Sequence, residues 1–227
     1  GPGLASLLGE WVSIRAPFVV MALLAAGAAV FTGHLPVDQG ELTTERRIVR
    51  GLLARPGIQA ALCMTVAFYV MVGTWEALWA VMITDLGSRT WVIGFTLAIT
   101  SVPMILLGGR AGEVAQRHGP LKVAALGLLV SVPCMAGYGL IGSVPVLVAL
   151  SMVQALGDSF SLPAARIAAA MASPADQHAS AQGLLGATEV LVAGAVATPA
   201  AGGYDHFGPG WTWFAAAVLM LAAIAAG

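Results

Sequence analysis

Three carboxylates stand inside long apolar runs of this chain: Glu76, Asp158 and Glu189. An acid surrounded by hydrocarbon either pairs with a cation or trades a proton. That is why ionisable groups in such places mark ion and substrate routes. Glu189 shares one helical stripe with Gln182, seven residues earlier, and Gly186, three earlier; polar groups and a gap beside the acid suit a water-lined path. The alternative for Glu189 is a hydrogen bond to a neighbouring helix that specifies packing. Asp158 falls with Ser151, Gln154 and Ser161 at steps of −7, −4 and +3, four polar residues on one face that suit a cavity or a neighbouring helix. It is expected nearer the cytoplasmic end of its run, where Gly157 and Pro163 could also form a hinge. Glu76 stands among aromatics, with Tyr69, Gly73 and Trp79 expected on its side of a helix. Ring faces and a carboxylate both attract positive charge, so this group suits a cationic or amphipathic molecule. An aromatic patch at the headgroups, with Glu76 reaching water, is the other reading.

Other chemistry finds no foothold. The chain contains neither G-x-S-x-G nor H-E-x-x-H, and no G-x-x-x-x-G-K-[ST] loop to cradle a nucleotide. His34, His118, His178 and His206 lie at or beyond the ends of apolar runs, away from metal-ligand spacing. Cys63 and Cys134 sit within such runs and read as small buried thiols. Neither metal nor cofactor is expected, and no enzymatic activity. A net charge of −1 without basic or acidic stretches gives no reason to expect a nucleic-acid partner.

The elements that must hold these acids are legible from composition. Apolar residues make up 59% of the 227 and charged residues 9%, with mean hydropathy +0.89; soluble domains carry roughly a quarter charged residues. The apolar residues come in blocks of about 20, enough to cross a hydrocarbon layer of roughly 30 Å as helix. About seven such spans are expected, near 17–36, 58–84, 91–109, 121–142, 144–165, 180–203 and 211–227. Membrane strands are excluded by the lack of period-2 alternation. The fold class is therefore an all-α, multi-pass membrane bundle, with the lipid bilayer as its solvent.

Loop charge orients it. Alternating the loops puts Arg46, Arg47, Arg50, Arg55, Arg110, Arg117, Lys122 and Arg166 on one face and only Arg15 and Arg89 on the other. The positive-inside rule makes the first face cytoplasmic. Trp11, Trp91, Trp211 and Trp213 then fall at the opposite ends of spans, as a headgroup belt. The chain opens Gly1-Pro2-Gly3 without a charged leader and short apolar region, so no secretory signal is expected; the missing initiator Met suggests a fragment or processed chain. A faint repeat relates Pro2, Trp11 and an Ala-rich span to Pro199, Trp211 and another Ala-rich span, at an offset of about 200 residues, as in transporters built from two halves.

The stretch Gly112-Glu113-Val114-Ala115-Gln116-Arg117-His118-Gly119-Pro120-Leu121-Lys122 resembles the cytoplasmic loop motif G-x-x-x-D-R-x-G-x-x-K of the major facilitator superfamily. Gly112, Arg117, Gly119 and Lys122 match; Gln116 stands where the family has an acid, which removes a charge that helps latch the cytoplasmic side. Gly203 to Pro209 followed by Trp211 resembles the family's turn between helices 11 and 12. Gly1-Pro2 resembles the end of the helix 5 motif of proton-driven drug exporters, with Ala5 and Ser6 in place of paired glycines; a cleavage scar would leave the same two residues.

The resemblance implies the C-terminal part of such a transporter, from the end of helix 5 through helix 12. Residues 1–36 would complete helices 5 and 6, 37–57 would be the central cytoplasmic loop, and 58–227 the six-helix C-terminal half. It further implies alternating access in the inner (plasma) membrane, a small-molecule substrate, protons as coupling ion, and an N-terminal half as partner. Glu189, Glu76 and Asp158 are the expected proton or substrate carboxylates, with Gln182, Gln154, Tyr69 and Trp79 beside them. Gly112, Gln116, Arg117, Gly119 and Lys122 would form the cytoplasmic gate loop. Efflux of a drug-like molecule or metabolite is the expected direction. The alternative is a non-transporting scaffold or sensor, or a degenerate half-transporter.

Overall fold

The computed structural model describes residues 42–227 and, upstream of them, only positions 19, 22, 23, 26 and 27, which are helical. The expected 17–36 span therefore lies largely outside the described residues, and Gly1-Pro2, Trp11 and Arg15 wholly so.

Among the described residues the regular structure is all helical: α1 Leu42–Leu53, α2 Pro56–Asp85, α3 Thr90–His118, α4 Pro120–Tyr138, α5 Val144–Ala172 and α6 His178–Ala226, with a 3-10 turn at Ala175–Gln177 before α6. The last five are long and apolar enough to cross a membrane. Lipid offers no hydrogen bonds to a bare backbone, so uninterrupted helix is what such sequences must form. α6 is two spans in one, broken at Gly208, whose φ of 81° and ψ of 171° are open to glycine and strained for any other residue. Pro209 then starts the second limb, where its missing N–H costs nothing. The six expected spans from 58 to 227 are thus all present.

Two boundaries move. α3 runs nine residues past the expected 109 to His118, so Gly112 to Arg117 are its last turns and not a loop. The turn itself is Gly119, at φ 93°, with Pro120 opening α4. α5 likewise runs through Pro163 and past 165 to Ala172, which carries Arg166 inside a spanning helix and out of the loop expected for it. The described part of the connection, from Leu42 on, is also structured. It holds the amphipathic helix α1, whose Leu52 is fully buried against Ile58, Ala169 and Leu185.

Small residues set the helix crossings, as expected where no hydrophobic effect drives helices together in lipid. A Cβ on Gly127 of α4 would collide with the Ser161 hydroxyl and the Gly157 carbonyl of α5, and one on Gly157 would fall 2.6 Å from the Gly127 carbonyl. Gly73 of α2 meets the Ala193 backbone of α6 in the same way, and Gly57 meets Ala172. α2 packs most extensively on α6, and α4 and α5 on each other. Arg55 donates to the Ala172 carbonyl at 3.3 Å, joining the start of α2 to the end of α5. This is the cationic end of the bundle. At the other end the Tyr204 hydroxyl donates to Asp85 at 2.9 Å, tying α6 to the end of α2.

The core between these crossings is aromatic. Trp75 stacks on Trp79 with centroids 4.7 Å apart, Trp79 meets Tyr138 edge-on at 5.6 Å, and Tyr138 meets Trp213 at 5.0 Å. Trp213 is fully buried, so it belongs to this column and not to a headgroup belt; Trp91 and Trp211 are exposed at span ends, as a belt requires.

Candidate functional site

α5 has 29 residues and is therefore about 43 Å long, and Asp158 is its middle residue. The carboxylate thus sits at mid-span and not toward the cationic end, because the helix continues beyond the apolar run that located it. Ser131 of α4 donates to its Oδ1 at 2.8 Å, and the Gln154 amide, one turn earlier on α5, donates to its Oδ2 at 3.3 Å. The glycine crossing explains the first bond: with no side chain at Gly127 or Gly157, α4 comes close enough for a serine to reach across. The same Gln154 nitrogen lies 3.1 Å from the Met71 sulfur of α2. Gln154, Ser151 and Ser161 are all buried on the polar stripe expected for them.

Asp158 opens onto a cavity of about 300 Å³ walled by α2, α3 and α5. Glu76 lies on the same wall, exposed, with Trp75 and Phe68 beside it and Thr100 and Ser101 opposite on α3. The structure thus brings together two of the three acids. Trp79, expected next to Glu76, is 1% exposed; its indole N–H donates to Thr96 at 2.8 Å and its ring is held in the aromatic column. Trp75 is the tryptophan on the cavity wall. Trp79 is four residues on from Trp75, and a helix turns through about 400° over that step. The 40° excess is enough to put one ring at the wall and the other behind it. Thr100 and Ser101 were not singled out in the sequence. A Thr-Ser pair in the apolar run of α3 was the available signal.

Glu189 belongs to a different cluster. Arg166 Nη2 donates to both of its oxygens, at 2.9 and 3.1 Å, and Gln182 donates to the Arg166 carbonyl at 3.0 Å. The Tyr69 hydroxyl stands within reach of both charges, so α2, α5 and α6 meet here. Tyr69 therefore does not share the side of Glu76; it turns with Gly73 toward α6. The Arg166 guanidinium is half exposed while Glu189 is mostly covered. Glu189 is a neutralised partner in an ion pair and not a solitary acid.

In the gate segment Gln116, Arg117 and Lys122 are exposed at the cationic end, and Gly112 packs no closer than ordinary contact on Ile167. Among the described residues no group of His, Cys, Asp and Glu has the geometry to hold a metal ion.

A family model described as Major Facilitator Superfamily matches residues 60–227. That covers α2, but for its first turn, through α6, and the chain belongs to this superfamily of membrane transporters. No curated protein matches it.

Proposed function

We propose that the chain is the C-terminal part of a proton-coupled secondary transporter that works by alternating access, with the cavity between α2, α3 and α5 as its share of the substrate path. One observation carries the reading: Asp158, a carboxylate at the midpoint of a spanning helix, is held by Ser131 and Gln154 on a cavity wall that also carries Glu76. Transporters of this build bind substrate and coupling ion near the bilayer midplane, where halves rock about the site. A charge there is costly unless the site uses it.

In this reading residues 58–227 are the C-terminal six-helix half, 37–57 with α1 is the cytoplasmic linker, and 1–36 completes helices 5 and 6. The cationic end faces the cytoplasm of a cell whose plasma membrane holds the protein. The substrate is a small drug-like molecule or metabolite, exported against protons. Asp158 is the first choice for the proton, Glu76 for the substrate, and the Arg166–Glu189–Tyr69 cluster with Gln182 couples the cationic halves of α2, α5 and α6. The test is flux by the full-length chain in vesicles under a proton gradient. Loss of flux in Asp158→Asn with the fold intact is expected. Equal flux in Asp158→Asn and parent removes the reading's central residue, and absence of any gradient-dependent flux in the parent across a broad compound panel favours a non-transporting membrane scaffold.

A further inference from the structure

Every polar group that the cavity wall turns inward is a hydrogen-bond acceptor. The hydroxyl protons of Thr100, Ser101 and Ser151 are spent on the carbonyls of Thr96, Leu97 and Val148 in their own helices, at 2.9, 3.0 and 2.8 Å. Only lone pairs remain for the cavity. Ser131 gives its proton to Asp158. The Gln154 amide nitrogen has two hydrogens, and both the Met71 sulfur and the Asp158 carboxylate lie against it. Turning the amide over would set its oxygen against those same two acceptors, so the carboxylate fixes its orientation. That leaves Gln154 Oε1, an atom of a wall residue that lies just beneath the cavity surface, without a partner. A buried acceptor left bare costs stability, and a ligand that donates to it recovers that loss.

The wall carries two carboxylates and, among the described residues, no Lys, Arg or His. The one further donor, Trp75 Nε1, turns toward the Tyr138 hydroxyl behind the wall, short of a full hydrogen bond. Its ring face, with that of Phe68, is what the cavity meets, and such faces attract cations.

We infer that this cavity takes an organic cation carrying N–H donors, an ammonium, guanidinium or amidinium group on an apolar body, whose nitrogen hydrogens are shared between Asp158 and Gln154 Oε1 while Glu76 supplies the second negative charge. The inference rests on the reading of the cavity as a substrate site and narrows its chemistry. It excludes anions, which would meet only acceptors and like charge. It also ranks a quaternary ammonium low, since that cation satisfies the charge but leaves Oε1 bare.

The experiment uses the full-length protein in lipid nanodiscs and three probe series, each on phenyl, naphthyl and anthracenyl ethyl bodies: the primary ammonium, its N-trimethyl quaternary analogue and the corresponding alcohol. Binding is read by calorimetry. At least one primary ammonium is expected to bind tenfold or more tighter than its quaternary analogue, and tighter still than its alcohol. In Gln154→Leu the preference for the primary over the quaternary form is expected to collapse to within threefold while charge selectivity remains; in Asp158→Asn charge selectivity itself is expected to fall. Thermal unfolding checks that both variants fold. Equal binding of primary and quaternary forms, equal binding of the alcohol, or no binding of any primary ammonium overturns the inference. Vesicle flux separates this from the wider reading. Proton-coupled transport of neutral or anionic solutes without ammonium binding overturns the inference alone, whereas ammonium binding without gradient-dependent flux overturns only the transport reading.

Discussion

Arg166 of α5 reaches Glu189 of α6 with one guanidinium nitrogen 2.9 and 3.1 Å from the two carboxylate oxygens, so two charges inside spanning helices cancel each other. Removing one alone strands the other. Glu189→Gln is expected to cost about 1–3 kcal/mol, between the values for exposed and buried pairs, because Arg166 is half exposed. The double variant Arg166→Gln with Glu189→Gln is expected to recover most of that loss. Thermal unfolding in one detergent measures both. Additive losses would mean that the pair is not coupled.

Asp158 can be tested for fold and for proton handling separately. Asn at this position still accepts from Ser131, so Asp158→Asn is expected to stay within about 1 kcal/mol of the parent in stability. Asp158→Leu leaves Ser131 and Gln154 without their acceptor and is expected to lose about 2–4 kcal/mol, one to two unsatisfied groups' worth. Chemical unfolding of the two variants side by side decides it; equal stability would show that the hydrogen bonds contribute little.

The α4–α5 crossing predicts a steric asymmetry. Gly127→Ala and Gly157→Ala each push a methyl into the facing backbone, and each is expected to cost about 1–3 kcal/mol as overpacking. Gly183→Ala, with nothing within 4 Å, is the control and is expected to be neutral or slightly stabilising. If all three melt alike, the close approach is not rigid.

Trp75 and Trp79 are stacked but do different work. Trp79→Phe loses the Thr96 hydrogen bond and part of the stack; a drop of about 1–3 kcal/mol in stability with affinity for an aromatic ammonium held within twofold is expected. Trp75→Phe, on the cavity wall, is expected to weaken that affinity at least threefold. Calorimetry on both variants tests the assignment, and the reverse order would put Trp79 at the ligand.

How far the sequence carries depends on which physical constraint each feature answers to. The six spans from 58 to 227 are legible because lipid leaves an apolar run no structure but helix. Their ends are less so: a hydropathy window stops at a charge, yet α5 continues through Arg166, which finds its counter-ion on the next helix. Periodicity put Ser151, Gln154 and Ser161 correctly on the face of Asp158. It failed for Tyr69 and Trp79 because a stripe of that width spans both the α6 contact and the cavity edge, and only packing decides between them. Trp211 and Trp213 look alike in a sequence, but two residues turn a helix by about 200°. One therefore meets the membrane surface while the other meets Tyr138. The α4–α5 approach that lets Ser131 reach Asp158 involves residues 27 positions apart, and no local pattern announces it.

The single-residue break at Gly208 has a practical corollary for anyone wishing to grip this protein from the arginine-poor side. Among the described residues that side is joined only by Leu86 to Arg89, Gly139 to Ser143 and Gly208 itself. An antibody, protease or inserted epitope approaching there meets helix tips in place of pliant loops, so tags and recognition handles belong at the opposite pole, in the stretch that carries α1.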